Sequence, residues 1–262
     1  MNAPTSSGLR RWLRHLSLGL GLAMAFAAQA APDLVWDTFD EPNSGDLQVV
    51  SGLGSASFLH TALAVPGGIR QSTFSQYVNP NGGDALFAVG GGALTVLQGD
   101  AAALGEVVVA YGAFTRPDPA DPNVGGPLLG LDLSAYNSVR LDFASQQSFV
   151  NAIAVFYTSA PLDPLNPLYY TAAFSAGVSP AVPGGPNTLF LLPFGDRANF
   201  NWAQVDGMVL VMDRATNVTG NTYALDTITI TTAVPEPGTW ALMLAGMAVV
   251  GALQRRRSPA SS

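Results

Sequence analysis

The chain has 262 residues, a formal net charge of −7 and no cysteine, which excludes disulfides, thiolate chemistry and lipid attachment through an N-terminal cysteine. All eleven basic residues are Arg, and six of them stand at the two ends, so Ala31 to Ala233 carries five Arg against seventeen Asp and Glu, a net charge of −12. A region that acidic excludes nucleic acid as a partner, because nothing would neutralise phosphate, and leaves divalent cations as plausible ones.

Arg10, Arg11 and Arg14 form a basic start, Leu16 to Phe26 an apolar run, and Ala28-Gln29-Ala30 a small-x-small box. That order predicts a secretory signal peptide over residues 1–30, with the mature chain beginning at Ala31. The Arg10-Arg11 pair raises the twin-arginine route, but the residues after it fit the general route better.

The region from 31 to 233 is predicted to be one all-β domain, long enough to bury a core. Strands are expected at Leu34 to Phe39, Phe58 to Leu63 and Ile69 to Tyr77, with turns at Asp40-Glu41-Pro42-Asn43, Pro66-Gly67-Gly68 and Asn79 to Asp84. Ala85 to Val89 and Ala93 to Leu97, split by three glycines, predict a hairpin. Glu106 to Phe114 predicts a long strand and Pro117 to Asn123 an exposed loop. In the second half Val139, Leu141 and Phe143 alternate with Arg140, Asp142 and Ala144, the period of a half-buried strand. Further strands are expected at Ala152 to Thr158, Leu168 to Phe174, Thr188 to Leu192, Val205 to Met212 and Tyr223 to Thr231. Gly177 to Pro186 reads as a loop and Ala198 to Ala203 as a short helical turn around Trp202. Many short strands with Gly, Pro and Asn turns predict a sandwich or jelly roll.

At the end stand Val234-Pro235-Glu236-Pro237-Gly238, an uncharged apolar run from Thr239 to Leu253, and Arg255-Arg256-Arg257. The prolines hold the first stretch extended. The apolar run has no polar face, so water does not suit it as a helix, and with snorkelling arginines it can span a bilayer. The arginines are a cytoplasmic stop-transfer signal by the positive-inside rule. The reading without the motif is a plain C-terminal membrane anchor that is never cleaved. The order of parts resembles the PEP-CTERM sorting signal of Gram-negative bacteria. That resemblance implies export across the inner membrane, transient residence there through residues 234–257, and processing near the Pro-Glu-Pro motif by an exosortase. It leaves residues 258–262 as a short tail and places the mature protein at the cell surface or in an extracellular matrix.

Leu131-Asp132-Leu133-Ser134-Ala135-Tyr136 is similar to the strand entry of galactose-binding-like jelly rolls, a group that includes many non-catalytic carbohydrate-binding modules. Asp37 to Asp40, Leu191 to Phe194, Val205 to Leu210 and Tyr223 to Ile228 are similar to other strands of that fold. The resemblance implies a galactose-binding-like jelly-roll sandwich and, in function, weak binding of carbohydrate or exopolysaccharide.

Catalytic chemistry is scarce. With the signal peptide removed, His60 is the only histidine, and its place in an alternating strand suits a structural or surface role. Zinc has too few ligands. Non-catalytic surface or biofilm-matrix protein is therefore the first reading. A secreted polysaccharide hydrolase using paired carboxylates is the alternative. A structural Ca2+ is expected, if anywhere, at Asp40, Glu41 and Asp226, because galactose-binding-like domains often place one between first and last strands. Asp118, Asp121 and Asn123 form a second, weaker candidate, and Asn217-Val218-Thr219 has the form of a glycosylation sequon but reads as a turn.

Overall fold

The computed structural model describes residues 31–40, 46–61, 63–114, 126–194, 199–213 and 219–232. Ala31 apart, they belong to one unit of the chain, Pro32–Ser262. The signal-peptide segment, Glu41, the Asp118 loop, Asn217 and the tail from Ala233 onward lie outside the described residues.

The described chain folds as an all-β jelly-roll sandwich of thirteen strands. They are β1 Leu34–Asp37, β2 Asp46–Val50, β3 Gly54–Thr61, β4 Ile69–Val78, β5 Ala85–Gly90, β6 Ala93–Gln98, β7 Leu104–Gly112, β8 Ser138–Gln146, β9 Val150–Tyr157, β10 Thr171–Val178, β11 Gly185–Phe194, β12 Gly207–Met212 and β13 Thr222–Thr231. Two short 3-10 turns, Pro66–Gly68 and Pro167–Tyr170, complete the regular structure. The strand order is β2-β5-β6-β13-β8-β11-β10-β9-β12-β7-β4-β3, with β1 on β13, and every pairing is antiparallel.

One strand joins the two layers. Gly185 to Leu191 of β11 pairs with β8, while Leu192 to Phe194 pairs with β10. Pro193 sits in this crossing, where a missing amide donor costs least. The first layer is therefore β2, β5, β6, β13, β8 and the start of β11, with β1 beside β13. The second is β10, β9, β12, β7, β4 and β3.

Alternation sorts the side chains. In β8, Val139, Leu141 and Phe143 are buried, while Arg140 and Asp142 are half-buried and Ala144 is exposed. β4, β5 and β9 alternate as cleanly. Trp36 on β1 is fully buried and meets Tyr111 and Phe156 edge-on at 6.0 and 6.2 Å. Such T-shaped pairs put the positive ring edge against a negative ring face.

Three sequence expectations are corrected. Leu168 to Tyr170 is a 3-10 turn rather than the start of a strand, because Asn166 accepts from the Leu168 amide and Pro167 opens the turn. Phe200 to Ala203 forms turns and no helix. Trp202 is held there by a tilted ring contact with Phe200 at 4.5 Å and by edge contacts with Phe156 and Phe174. The span Gly177 to Pro186 is a shorter loop than expected, since β10 reaches Val178 and β11 begins at Gly185.

Candidate functional site

His60 belongs to a buried ion-pair cluster. Arg70, fully buried on β4, donates through Nη1 to both oxygens of Asp37, at 3.1 and 2.9 Å. Tyr111 donates its hydroxyl to Asp37 Oδ2 at 2.6 Å, and the Phe39 amide donates to Oδ1 at 2.8 Å. Arg70 Nη2 lies 3.3 Å from His60 Nδ1, and its guanidinium sits 4.9 Å above the Phe39 ring. Phe39 takes a φ of 55° to reach that position, a conformation bulky side chains rarely adopt. A carboxylate saturated with donors inside a core is an anchor for β1. Asp37 is buried, and His60 is half-buried at the rim of the cluster.

Asp40 and Asp226 are both exposed, and they line different depressions. Asp40 shares a small one, about 40 Å3, with Asp37, Thr38 and Leu63 to Val65. Asp226 shares another with Asp142 and Asn187. Among the described residues no three His, Asp or Glu side chains gather in a metal-binding group. Glu41, the third expected ligand, lies outside them.

The second depression is the notable surface feature. Its volume is about 550 Å3, and it is lined by Asp142, Phe143, Ala144, Pro186, Asn187, Thr188 and Asp226. Its origin lies in strand register. On β13 the pairing with β8 slips at Asp226, on β8 at Ala144, and on β11 at Pro186. A β-bulge bends its strand and breaks the ladder locally. Three on adjacent strands hollow the outer face of the first layer. This feature was invisible in the sequence, which gives alternation but not the register of one strand against the next.

A polar chain leads to this depression. The Thr231 hydroxyl donates to Asp33 Oδ1. Arg140 donates to Asp33 Oδ2 through Nη1 and to Asp142 Oδ2 through Nε, both at 2.9 Å. The Thr188 hydroxyl donates to Asp142 Oδ1 at 2.8 Å. Asn187 is fixed by its Nδ2, which donates to Gln146 Oε1 at 2.8 Å. Phe190, two residues along β11 from Thr188 and paired across to Arg140, is 47% exposed on the same outer face. An aromatic ring thus stands beside a bulged hollow lined by amide, hydroxyl and carboxylate groups.

The signal and sorting residues cannot be placed against this face: Ala28 and Ala30, Val234 to Pro237 and Arg255 to Arg257 lie outside the described residues. Among the described residues no helix is long and apolar enough to cross a membrane.

Comparison with known proteins gives three findings. No curated protein matches the sequence. Similar solved structures include the family 11 carbohydrate-binding module of the cellulosomal cellulase Lic26A-Cel5E of Clostridium thermocellum, at 11% identity over 80% of this chain and 99% of that one, with a TM-score of 0.37. They also include the family 30 module of the cellulosomal cellulase Cel9D-Cel44B of Clostridium thermocellum, at 14% identity over 78% of this chain and 100% of that one, with a TM-score of 0.36. Residues 233–257 match the PEP-CTERM protein-sorting motif, so the chain ends in a sorting signal of that kind.

Proposed function

We propose that this is an exported, non-catalytic protein of the cell surface or extracellular matrix, routed by its tail and processed by an exosortase-type enzyme. The observation that carries the reading is the sorting motif at residues 233–257. Its parts divide the work. The apolar run enters the bilayer, Arg255 to Arg257 stop transfer, and the proline-braced Val234 to Pro237 stays extended within an enzyme's reach. The signal peptide over residues 1–30 opens the route and the sandwich is the cargo. The direct test is the C-terminal peptide of protein recovered from the cell surface, read by mass spectrometry. Ends close to Val234-Pro235-Glu236-Pro237 support the reading. Intact Trp240 to Arg257 in most of the material makes the segment a plain anchor.

For the sandwich we propose weak carbohydrate binding on the outer face of the first layer. Support comes from Phe190, exposed beside Thr188, Asp142, Asn187 and Asp226. Sugars take an apolar ring face on an aromatic and their hydroxyls on fixed polar groups. The same hollow holds two carboxyl groups, Asp142 and Asp226, which is what the hydrolase alternative requires. Against that alternative, Asp142 is tied to Arg140 and Thr188 as an acceptor on both oxygens. Asp226 is exposed rather than set in an apolar pocket of the kind that makes a carboxyl a general acid. A glycan array reports binding, and reducing-end release from any glycan bound separates the hydrolase from the binder.

A further inference from the structure

Pro161-Leu162-Asp163-Pro164-Leu165-Asn166-Pro167-Leu168 connects β9 to β10 and repeats Pro-Leu every three residues. Its leucines are exposed far beyond what a core-forming residue shows: 63% at Leu162, 92% at Leu165 and 76% at Leu168. Leu128, at 61%, lies in the segment that follows β7. The only charged side chain in the repeat is Asp163.

The base of this loop is pinned. Asp206, 1% exposed, accepts from the Ser159 amide at 2.8 Å and the Ser159 hydroxyl at 2.7 Å. The same carboxylate accepts from the Gly130 amide at 3.2 Å, and the Asp206 carbonyl accepts from the Ala113 and Leu129 amides. Asn201 Nδ2 donates to the Ala160 carbonyl at 2.8 Å. Gly112 makes room for this junction: with φ at 62°, a Cβ there would stand 2.5 Å from the Asp206 carbonyl oxygen and from Leu129. Within the loop, Asp163 and Asn166 accept from the amides two residues on. One buried carboxylate therefore ties the Leu162–Leu168 loop to the segment carrying Leu128.

The loop also shares an end of the sandwich with the exit of the chain. Strand registers place the end of β13, the start of β8, the end of β11, the start of β10 and the end of β9 together, through Thr231 on Ser138, Leu191 on Val139, Ala173 on Phe194 and Thr171 on Tyr157. Hydrogen bonds trace the path across that end. The Asn137 amide donates to the Thr231 carbonyl, the Leu133 amide to Trp202, and Leu131 bridges Val205, the neighbour of Asp206. From Thr232 to Thr239, where the apolar run begins, there are seven residues, which span about 25 Å at most. With the run in a bilayer, this end of the sandwich stays within that distance of the lipid.

We propose that the Leu162–Leu168 loop, with Leu128 beside it, docks on the lipid bilayer while the tail holds the protein there. This rests on the reading of the tail as a membrane segment. The contact is apolar, because the domain is strongly acidic and the loop has no Lys or Arg to attract lipid phosphate. Docking fixes the exit end toward the membrane and holds the Pro-Glu-Pro motif at a constant height above it. When the tail is cleaved the loop alone is too small an anchor, and the domain leaves.

The chain has no cysteine, so a single introduced one carries a single dye. The full chain with Leu162→Cys, Leu165→Cys or Val182→Cys is labelled with an environment-sensitive fluorophore and reconstituted by its tail into phosphatidylcholine vesicles. Val182 is 67% exposed in the β10–β11 loop at the far end, roughly 30 Å away by the rise of nine-residue β8. The expected result is a blue shift and loss of emission to bromine-labelled acyl chains at 162 and 165, with neither at 182. Labels at 162 and 165 that stay in water, on protein whose tail resists alkaline extraction, overturn the docking and leave the tail reading standing. Protein extracted by alkali overturns the tail reading and this inference with it. Quenching at all three positions means adsorption without orientation and overturns the proposal, as does shielding of the loop only when a second protein is added.

Discussion

Asp213 should make the protein less stable as pH rises through neutrality, and replacing it by Asn should abolish that loss. The residue follows β12, is 2% exposed and takes a φ of 65°. Burial is the largest influence on its carboxyl and pushes its pKa up from 3.8 to about 7, while hydrogen bonds from Asn151, Asn221 and Tyr223 offset only part of that cost. Burial and the neighbouring Asp213 likewise push Tyr223 well above its ordinary value. The folded pKa lies above the unfolded one, so the folded state holds the proton more tightly. Stability from this group is complete below pH ~4 and is lost as pH rises through ~7. At about 1.4 kcal/mol per pKa unit, the full loss is about 4 kcal/mol, of which about 2.5 falls between pH 5 and pH 8. Asn has nearly the same shape, tolerates positive φ and never ionises. The assay is urea denaturation at half-unit pH steps on wild type and Asp213→Asn. Asp100 and Asp132 do not confuse it, since hydrogen bonds hold both pKa values below the usual carboxylate range. Their contribution is lost only on acidification below that window. Equal slopes for the two proteins between pH 5 and 8 would refute the reasoning.

Arg70→Met leaves Asp37 buried without its cation and should cost about 3–5 kcal/mol in urea denaturation, whereas His60→Gln should cost under ~1 kcal/mol because His60 is half-buried at the cluster's rim. Phe190→Ala should weaken retention on an immobilised glycan about tenfold, a loss of ~1–1.5 kcal/mol, while the melting temperature stays within a degree or two. Millimolar calcium is expected to leave the melting temperature unchanged relative to chelator, because Asp40 and Asp226 line separate depressions. A rise abolished by Asp226→Ala would bring the two together with Glu41 around an ion. Glu236→Ala should leave membrane insertion intact and slow processing, while Arg255, Arg256 and Arg257→Ser should let uncleaved chain slip through the membrane, both read as the ratio of cleaved to intact C-terminal peptide.

Where one strand face is buried and the other wet, the sequence announced its structure. Val139, Leu141 and Phe143 alternated with polar neighbours, and the triple glycine 90–92 marked the β5–β6 hairpin. β2 escaped notice because this edge strand is exposed on both faces over Leu47, Gln48 and Val49, so no alternation survives. The hollow at Asp226, Ala144 and Pro186 depends on three register slips between strands distant in sequence, and no local pattern encodes those. The calcium expected at Asp40, Glu41 and Asp226 came from the resemblance to galactose-binding-like domains; β1 does lie beside β13, and Asp40 and Asp226 line different depressions. Pairing of two strands does not fix where side chains beyond the paired residues point. No local pattern marks Asp213, since its burial and its hydrogen-bond partners Asn151, Asn221 and Tyr223 come from parts of the chain on either side that only the fold brings together.

The use of arginine narrows what the surface accepts. Among the described residues Arg70 is spent inside on Asp37, and Arg140 is held between Asp33 and Asp142. Seventeen carboxylates against five cations in the domain then give a negative field, extending about 8–10 Å at physiological salt. An acidic polysaccharide approaching the Phe190 face meets that repulsion before it meets the ring, and a neutral one does not. On the proposed reading, selection against charged glycans is set by the composition of the whole domain, and recognition of a neutral one falls to a few groups around Phe190. The same field opposes contact with an anionic membrane, so in the proposed docking the exit end relies on leucines of a pinned loop and on the uncharged run Thr239 to Leu253 rather than on basic residues of the domain.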